Sequence, residues 1–294
     1  MKSVIILGKG YIGTALFEYL NTFKIPVIHV SRADVDYNDY YTLLNFLTVV
    51  DPQYVINCSG FTGKPNIDEA EIKSKECWAL NVTGPVEVNR ACRSKSIEYI
   101  HISTGCIYNG YDKVYTEKDF PNFGLMAKDS SFYAKSKHAY ELSGGNYGMT
   151  LRIRMPYCSY QHDRSFLTKI LKYDNLINTR NSKTALRDLQ RFILHIVQHS
   201  IPVQPIGVLN FVNPDPLNIL EIVKILKDRG LVNWKWNFVE SVDTKANRSN
   251  CVLSSDKLNR LFPNFVVNTE HDAIINILPQ SSYDTQNENL RSTK

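Results

Sequence analysis

An α/β fold, a doubly wound parallel sheet with a smaller C-terminal lobe, is the architecture this 294-residue sequence predicts. Three observations predict it. The chain opens on a buried-type strand, Val4-Ile5-Ile6-Leu7, which runs through Gly8-Lys9-Gly10-Tyr11-Ile12-Gly13 into an apolar helix over residues 15–20. Strand-like and helix-like segments then alternate to about residue 155. After Pro156 the rhythm breaks into shorter pieces, with loops rich in Asn, Ser and Pro between them.

The first turn is the most specific of these signals for a Rossmann-like sheet. Gly8 permits a tight bend, Gly10 lets backbone approach a pyrophosphate, and Gly13 lets the helix pack on the strand. The helix N-terminus, with the backbone of Tyr11 and Ile12, then faces the anion. The second strand, Val27-Ile28-His29-Val30, ends in Ser31-Arg32, where an NAD-selective site usually places an acidic residue for the ribose 2′-hydroxyl. Arg32 suits a 2′-phosphate instead. NADPH is therefore the expected cofactor, with NADH as a second acceptable one. The alternative is that Arg32 is a solvated surface residue and Asp34 or Asp36 reaches the ribose.

The remaining elements follow in order. Residues 54–58 read as a buried strand, 70–92 as helical with one Gly-Pro interruption, 97–102 and 151–154 as further strands. Residues 186–199 look like an amphipathic helix returning to the sheet, 217–227 another helix, 272–278 a last one. The division expected is a dinucleotide-binding domain over 1–155, to which 186–200 returns, and a mainly substrate-binding lobe over 156–279. The polar stretch 280–294 is expected to be a disordered tail. No internal repeat is evident.

Composition narrows the class. A hydrophobic content of 43% and a charged content of 21% are globular values, and no apolar run approaches the ~20 residues of a membrane span. No signal-peptide pattern precedes the first strand. The cysteines Cys58, Cys77, Cys92, Cys106, Cys158 and Cys251 show no Cys-x-x-Cys spacing, which suits a reducing cytoplasm. A formal charge of +5 is mild, and no dense basic run with interleaved aromatics argues for nucleic acid. No metal is assigned to any of the seven histidines.

The chemistry-bearing stretch is Ser103-Thr-Gly-Cys-Ile-Tyr108, followed by Tyr133-Ala-Lys-Ser-Lys137. Tyr133 and Lys137 are four apart, so on a helix running to Gly144-Gly145 they share one face, where the ammonium is expected to lower the phenol pKa. Tyr133 could then give or take a proton at a carbonyl oxygen, with the Thr104 hydroxyl orienting that oxygen. Asn57, at a strand end, could touch the nicotinamide ribose or cap the loop that follows it.

These residues resemble the extended short-chain dehydrogenase/reductase superfamily, and the resemblance narrows. Asn57-Cys-Ser-Gly-Phe-Thr-Gly-Lys-Pro-Asn-Ile-Asp68, Ser103–Tyr108, Leu151-Arg-Ile-Arg-Met-Pro156, Phe166-Leu-Thr-Lys-Ile170, Asn210-Phe-Val-Asn-Pro214 and Asn247-Arg-Ser-Asn250 look like the bifunctional nucleotide-rhamnose synthases. The similarity runs to about residue 278; looser relatives are dTDP-4-dehydrorhamnose reductases and GDP-fucose synthases. Sugar-nucleotide 4,6-dehydratases place Asp-Glu after the threonine where this chain has Gly105-Cys106, so elimination of water is not expected here.

The resemblance implies an epimerase and reductase acting on a UDP- or dTDP-linked 4-keto-6-deoxy-D-glucose, supplied by a separate 4,6-dehydratase. Hydrogens on C3 and C5 flank the C4 carbonyl, so inverting either centre needs a base on one face and an acid on the other. By resemblance Cys106 and Lys169 are that pair, with the roles of each left open, and a lysine near the thiol would lower its pKa. Tyr133 would protonate O4 as the nicotinamide delivers hydride, and Lys137 would hold the cofactor ribose. Lys64, Asn66 and Asp68 border the sugar in the family, and Arg248 resembles its diphosphate contact; a surface salt bridge is the plainer reading of Arg248. A homodimer is implied as well. A reductase lacking epimerase activity and a non-catalytic NADP-binding regulatory subunit remain the rival readings, against which stand Cys106 with Lys169 and the intact Thr104, Tyr133 and Lys137.

Overall fold

The computed structural model describes residues 3–143, 147–232, 236–241 and 244–278. The first half runs β1 (Val4–Leu7), α1 (Tyr11–Thr22), β2 (Val27–Val30), α2 (Tyr40–Val50), β3 (Tyr54–Asn57), α3 (Glu69–Ile72), α4 (Ser74–Trp78), a π-helical turn (Ala79–Thr83) and α5 (Gly84–Ser94). Then come β4 (Glu98–Thr104), β5 (Val114–Tyr115), α6 (Phe132–Leu142), β6 (Met149–Ile153), α7 (Phe166–Lys172), β7 (Asn175–Leu176) and α8 (Leu186–Gln198). The chain closes with β8 (Gly207–Asn210), α9 (Ile219–Asp228), β9 (Asn237–Phe238), β10 (Val252–Leu253), α10 (Asp256–Leu261) and α11 (Glu270–Ile277).

Six strands form one parallel sheet in the order β2-β1-β3-β4-β6-β8. Every residue of β1 and β3 is buried, as the continuous apolar run of a central parallel strand requires. Because side chains alternate along a strand, Ile6, Ile56 and Leu151 face α1 and α8, whereas Ile5, Leu7 and Val55 face α2 and α5. The strand order reverses between β1 and β3, which pair with Val4 opposite Tyr54. Their C-terminal ends therefore diverge into a crevice, the place where open α/β sheets bind ligands.

A separate apolar cluster holds α7, α9 and α11 together through Leu167, Ile170, Ile222, Leu226 and Ile274. Trp236 closes it, its indole N–H donating to the Ile170 carbonyl at 3.0 Å. A capping box between Asn218 and Glu221 starts α9.

Two local expectations are corrected. Gly84-Pro85 does not interrupt the helical run after residue 69; it opens α5, where proline at the first turn is tolerated, and the break falls at Lys73. The strand that carries the chemistry extends to Thr104 rather than Ile102. The helix end at Gly144-Gly145 and the tail over 280–294 lie outside the described residues. No helix among the described residues is long and apolar enough to cross a membrane.

Candidate active site

The glycine turn joins β1 to α1 in a geometry that only glycine allows at two positions. Gly8 has φ 99°, and a Cβ there would lie 2.9 Å from the Ser59 backbone. A Cβ on Gly13 would lie 2.0 Å from the Gly8 carbonyl oxygen, while one on Gly10 would meet nothing within 4 Å. The turn is thus closed on the protein side and open at Gly10, a cradle that fits a pyrophosphate at the start of α1. The side chains of Tyr11 and Ile12 turn toward the core cluster, leaving their backbone N–H groups as what they can offer an anion. The Tyr11 ring also stacks on His162, with ring centroids 4.3 Å apart.

At the end of β2, Asp34 is tied down. It accepts from the Ser31 backbone and hydroxyl at 2.8 and 2.7 Å and pairs with Lys9 at 2.8 Å, which holds its carboxyl below the usual range. Asp36 accepts from the Asn38 backbone. Arg32 is exposed beside this cluster.

Asn57 ends β3. It is fully buried; its Oδ1 accepts from the Ser59 N–H and hydroxyl, and its Nδ2 donates to the Tyr99 hydroxyl at 3.2 Å. Capping of the following loop, the second of the two readings, is what its amide does, since both ends are already used.

β4 is a two-faced strand. Ile100 and Ile102 join the apolar cluster, whereas Tyr99, His101 and Ser103 line the side toward α6, Ser103 donating to Glu141 at 3.1 Å. Thr104 ends the strand and its hydroxyl accepts from the Cys106 N–H at 3.1 Å. Ser131 caps α6, accepting from the Ala134 N–H, so Tyr133 lies in the first turn and Lys137 in the next. The Thr104 hydroxyl hydrogen-bonds the Tyr133 phenol, and Cys106 is among the phenol's near neighbours. Thr104, Cys106 and Tyr133 are therefore brought to one place.

The expected acidic phenol is a correction. Burial pushes the Tyr133 pKa up, Cys106 adds to the rise, and the hydrogen bond from Thr104 only partly opposes it. Lys137 acts elsewhere: it is 4% exposed, and burial lowers its own pKa to about 8 against opposing contributions from Cys77, Glu141 and Cys58. Gly60 makes room for it, since a Cβ there would lie 3.2 Å from Nζ and 2.9 Å from the Asn81 Oδ1.

Lys169 lies in α7, half-buried. Its pKa is lowered by burial first and then by Arg164 and Arg248. Its charged neighbours thus include two arginines. Arg248 takes the plainer reading in part, pairing with Asp68 at 2.8 Å, while its buried Nη1 has no partner among the described residues. Asn66 is used locally, accepting from the Asp68 N–H at 2.7 Å, and Lys64 is exposed on the same loop.

Two residues escaped the reading of the sequence. Arg164 donates to the Gly63 carbonyl across the cleft and is felt by both Tyr133 and Lys169, so it links the two halves of the site. A basic residue two positions ahead of the Phe166–Ile170 motif was the signal available. Asn81, in the π-helical turn, holds the Phe61 backbone with both amide ends and donates to Ser136 at 3.0 Å. Nothing in its local sequence announces a π turn, although such turns recur at functional sites.

A sheet whose switch point carries a glycine cradle, with a Thr, Tyr and Lys constellation beside it, defines the class of dinucleotide-dependent reductases. Within that class the chain belongs to the RmlD substrate binding domain family, whose model matches residues 1–265. It is 32% identical over 275 residues to a bifunctional dTDP-4-dehydrorhamnose 3,5-epimerase/dTDP-4-dehydrorhamnose reductase of Arabidopsis thaliana, covering 88% of this chain and 87% of the relative. It is 33% identical over 239 residues, 76% of the chain, to a trifunctional UDP-glucose 4,6-dehydratase/UDP-4-keto-6-deoxy-D-glucose 3,5-epimerase/UDP-4-keto-L-rhamnose-reductase of the same plant, of which the match spans 34%. Among solved structures, a UDP-rhamnose synthase of Acanthamoeba polyphaga mimivirus matches with a TM-score of 0.83 and 27% identity, over 94% of this chain and 99% of that one.

Proposed function

We propose that the chain is an NADPH-dependent enzyme that epimerises C3 and C5 of a nucleotide-linked 4-keto-6-deoxy-D-glucose and reduces C4, giving the L-rhamnose sugar. UDP is the proposed carrier. The observation that carries the reading is the meeting of Thr104, Cys106 and Tyr133 at the C-terminal end of β4. The relatives named above support it, because epimerase and reductase functions occur together in both plant proteins.

Gly8, Gly10 and Gly13, the backbone of Tyr11 and Ile12, Ser31, Arg32 and Lys137 would hold the dinucleotide, which when bound supplies the hydride for C4. Thr104 and Tyr133 hydrogen-bond O4. Tyr133 gives O4 its proton in the reduction, whereas the proton shuttle at C3 and C5 does not require the phenol to release its proton. The raised phenol pKa suits the reduction, since it keeps Tyr133 protonated until O4 gains charge. Cys106 and Lys169 act at C3 and C5, and Lys64, Asn66 and Arg248 contact the sugar nucleotide. We place the dinucleotide domain at 1–155 with 186–200, and the substrate lobe at 156–279; the distinct cluster around α7, α9 and α11 supports that division. A separate 4,6-dehydratase, a homodimeric state and a cytoplasmic location complete the proposal, on resemblance and composition alone.

One observation favours a second reading. Lys169 neighbours two arginines, as a residue that binds the diphosphate would. The chain would then be a reductase without epimerase activity. Incubation of the purified protein with UDP-4-keto-6-deoxy-D-glucose and NADPH in deuterated water separates the two. Deuterium at C3 and C5 with UDP-L-rhamnose as product is the expected result; NADPH oxidation to a product without deuterium at either carbon would replace it with the reductase reading. Running the dTDP sugar beside it tests the carrier.

A further inference from the structure

Among the described residues Arg154 is the largest side chain that is fully buried, and the proposed chemistry does not use it. It follows β6, within the Leu151–Pro156 motif, and is 1% exposed. Burying a guanidinium is costly unless its donors find acceptors. Here they find two segments far apart in sequence. Nη2 donates to the Ser249 carbonyl at 3.0 Å and to Asn181 Oδ1 at 3.3 Å. Nη1 donates to the Ser249 hydroxyl at 3.0 Å, and its remaining proton is shared between the Gly105 carbonyl at 3.4 Å and the Cys251 sulfur. Burial pushes the Cys251 thiol up to about 11 against the pull of Arg154, so the thiol keeps its proton and donates it to the same Gly105 carbonyl at 3.8 Å. The acceptors found among the described residues are all neutral. A planar fork that grips two pieces of chain, rather than an ion pair, is therefore what arginine supplies at this position.

Each piece lies one residue from a member of the proposed site: Gly105 precedes Cys106, and Ser249 follows Arg248. The fit at Gly105 is close. A Cβ there would overlap Leu253 and lie 3.0 Å from Arg154 Cγ, so the arginine stem covers the bare face of the turn. The Gly105 N–H donates to the Ile153 carbonyl at 3.0 Å, which ties the same turn to β6. Segment 249–251 has other anchors farther along: the Ser249 hydroxyl donates to the Tyr108 carbonyl at 2.5 Å and the Gly110 N–H to the Asn250 carbonyl at 2.8 Å. Those bonds serve its far end. Beside Cys106 the tie is the guanidinium together with the Cys251 thiol.

We infer that Arg154 is a positioning residue that sets the Cys106 turn and the Arg248 segment against each other, so that one buried side chain governs both proton transfer at carbon and the grip on the nucleotide sugar. The inference rests on the roles proposed above for Cys106 and Arg248.

Kinetics of the full chain test it. Arg154→Met keeps an apolar stem and removes the fork. Deuterium exchange at C3 or C5 under saturating substrate should fall about a hundredfold, the scale on which a small misplacement of a reacting group is felt. KM for the nucleotide sugar should rise about tenfold, as for a weakened hydrogen bond to a charged group. kcat for reduction of an already epimerised 4-keto sugar should change far less, because Thr104 is held by the pairing of β4 with β6, which does not involve the guanidinium. Arg154→Lys separates fork from charge: an ammonium keeps the cation without the two-ended grip, so the same split should appear at smaller size. That variant carries the test if Arg154→Met does not fold. Equal losses in exchange and reduction at unchanged KM, as a smaller folded fraction gives, would make Arg154 a structural residue and overturn the inference. Wild-type exchange and KM in Arg154→Met, or full rescue by lysine, would overturn it too. If the wild type neither exchanges nor forms rhamnose, the proposed function fails instead. Direct titration with UDP then still judges the tie to the Arg248 segment: Arg154→Met should bind about tenfold more weakly, and equal binding would sink it.

Discussion

Lys137 on α6 and Lys169 on α7 are the two lysines of the proposed site, and burial lowers the pKa of both. Their neighbours then act in opposite directions. Around Lys137 the thiols of Cys77 and Cys58 and the carboxylate of Glu141 pull the amine back toward its charged form. Around Lys169 the guanidinium groups of Arg164 and Arg248 push further toward the neutral amine. The contrast separates two jobs that one residue type can do. A lysine that must hold a ribose and supply a positive field needs its proton, whereas one that removes a proton from carbon must be free of it. If Lys169 acts at C3 or C5 as proposed, these neighbours suit it to the base and leave the acid to Cys106.

The largest expected effect tests the Lys137 side. Tyr133→Phe removes the proton donor to O4, so C4 reduction should fall by roughly 10²–10⁴, the range of general acid catalysis. Solvent deuterium should still enter C3 and C5. Joint loss of exchange and reduction in a folded protein would mean that the phenol also serves the enolate step, and the division between the two sides of the cleft would fail.

Cys106→Ala is expected to come next in size and to have the complementary pattern. The side chain is half-buried at a strand end, so the substitution should cost little stability, about 1 kcal/mol. Deuterium incorporation at one or both carbons should collapse, and reduction of an already epimerised 4-keto sugar should survive. Wild-type exchange in this variant would return Cys106 to a packing role and favour the reductase reading.

Legibility in the sequence differs between the two sides for a physical reason. The glycine turn, Thr104, Tyr133 and Lys137 belong to regular elements whose spacing fixes which side chains meet. Strand β1, the Gly8-to-Gly13 turn and the i, i+4 pair on α6 could therefore be read before any coordinates. What could not be read is desolvation. The expected acidification rested on Lys137, but burial is the largest influence on Tyr133 and moves it upward, and the influences that oppose it come from Thr104 and Arg164. On the α7 side the partners come from loops far apart in sequence: Arg164 reaches Gly63, and Arg248 reaches Asp68. No periodicity encodes such meetings. Asn57 is an intermediate case, since two roles were open from its strand-end position and only its hydrogen bonds chose between them.

A third test concerns the far end of the dinucleotide cradle. With Asp34 held by Lys9 and Ser31, Arg32 is the group proposed for a 2′-phosphate. Arg32→Ala should weaken NADPH about tenfold to a hundredfold, in keeping with lost charge-assisted hydrogen bonds, and leave NADH nearly unchanged. Equal losses for the two cofactors, measured by direct titration, would remove the basis for NADPH preference and leave both lysine assignments untouched.

The smallest expected effect is the sharpest for the comparison itself. Arg164 is one of the two cations that depress Lys169, so replacing it with the neutral Arg164→Gln should let the lysine keep its proton to higher pH. If the free amine is the base, deuterium exchange at C3 or C5 rises with pH as that amine forms, and the variant's profile should move to higher pH. The displacement should be below about one unit, because a neighbouring charge in a partly solvated cleft is well screened. At high pH, where Lys169 is neutral in both proteins, the exchange rates should converge. Exchange that instead falls as pH rises, with that fall displaced to higher pH in the variant, would mean that Lys169 works in its protonated form, reversing the roles assigned to it and to Cys106. Unchanged exchange, with a raised KM for the nucleotide sugar alone, would place Arg164 and Lys169 together on the diphosphate. The two lysines would then differ in what they bind rather than in how they handle a proton.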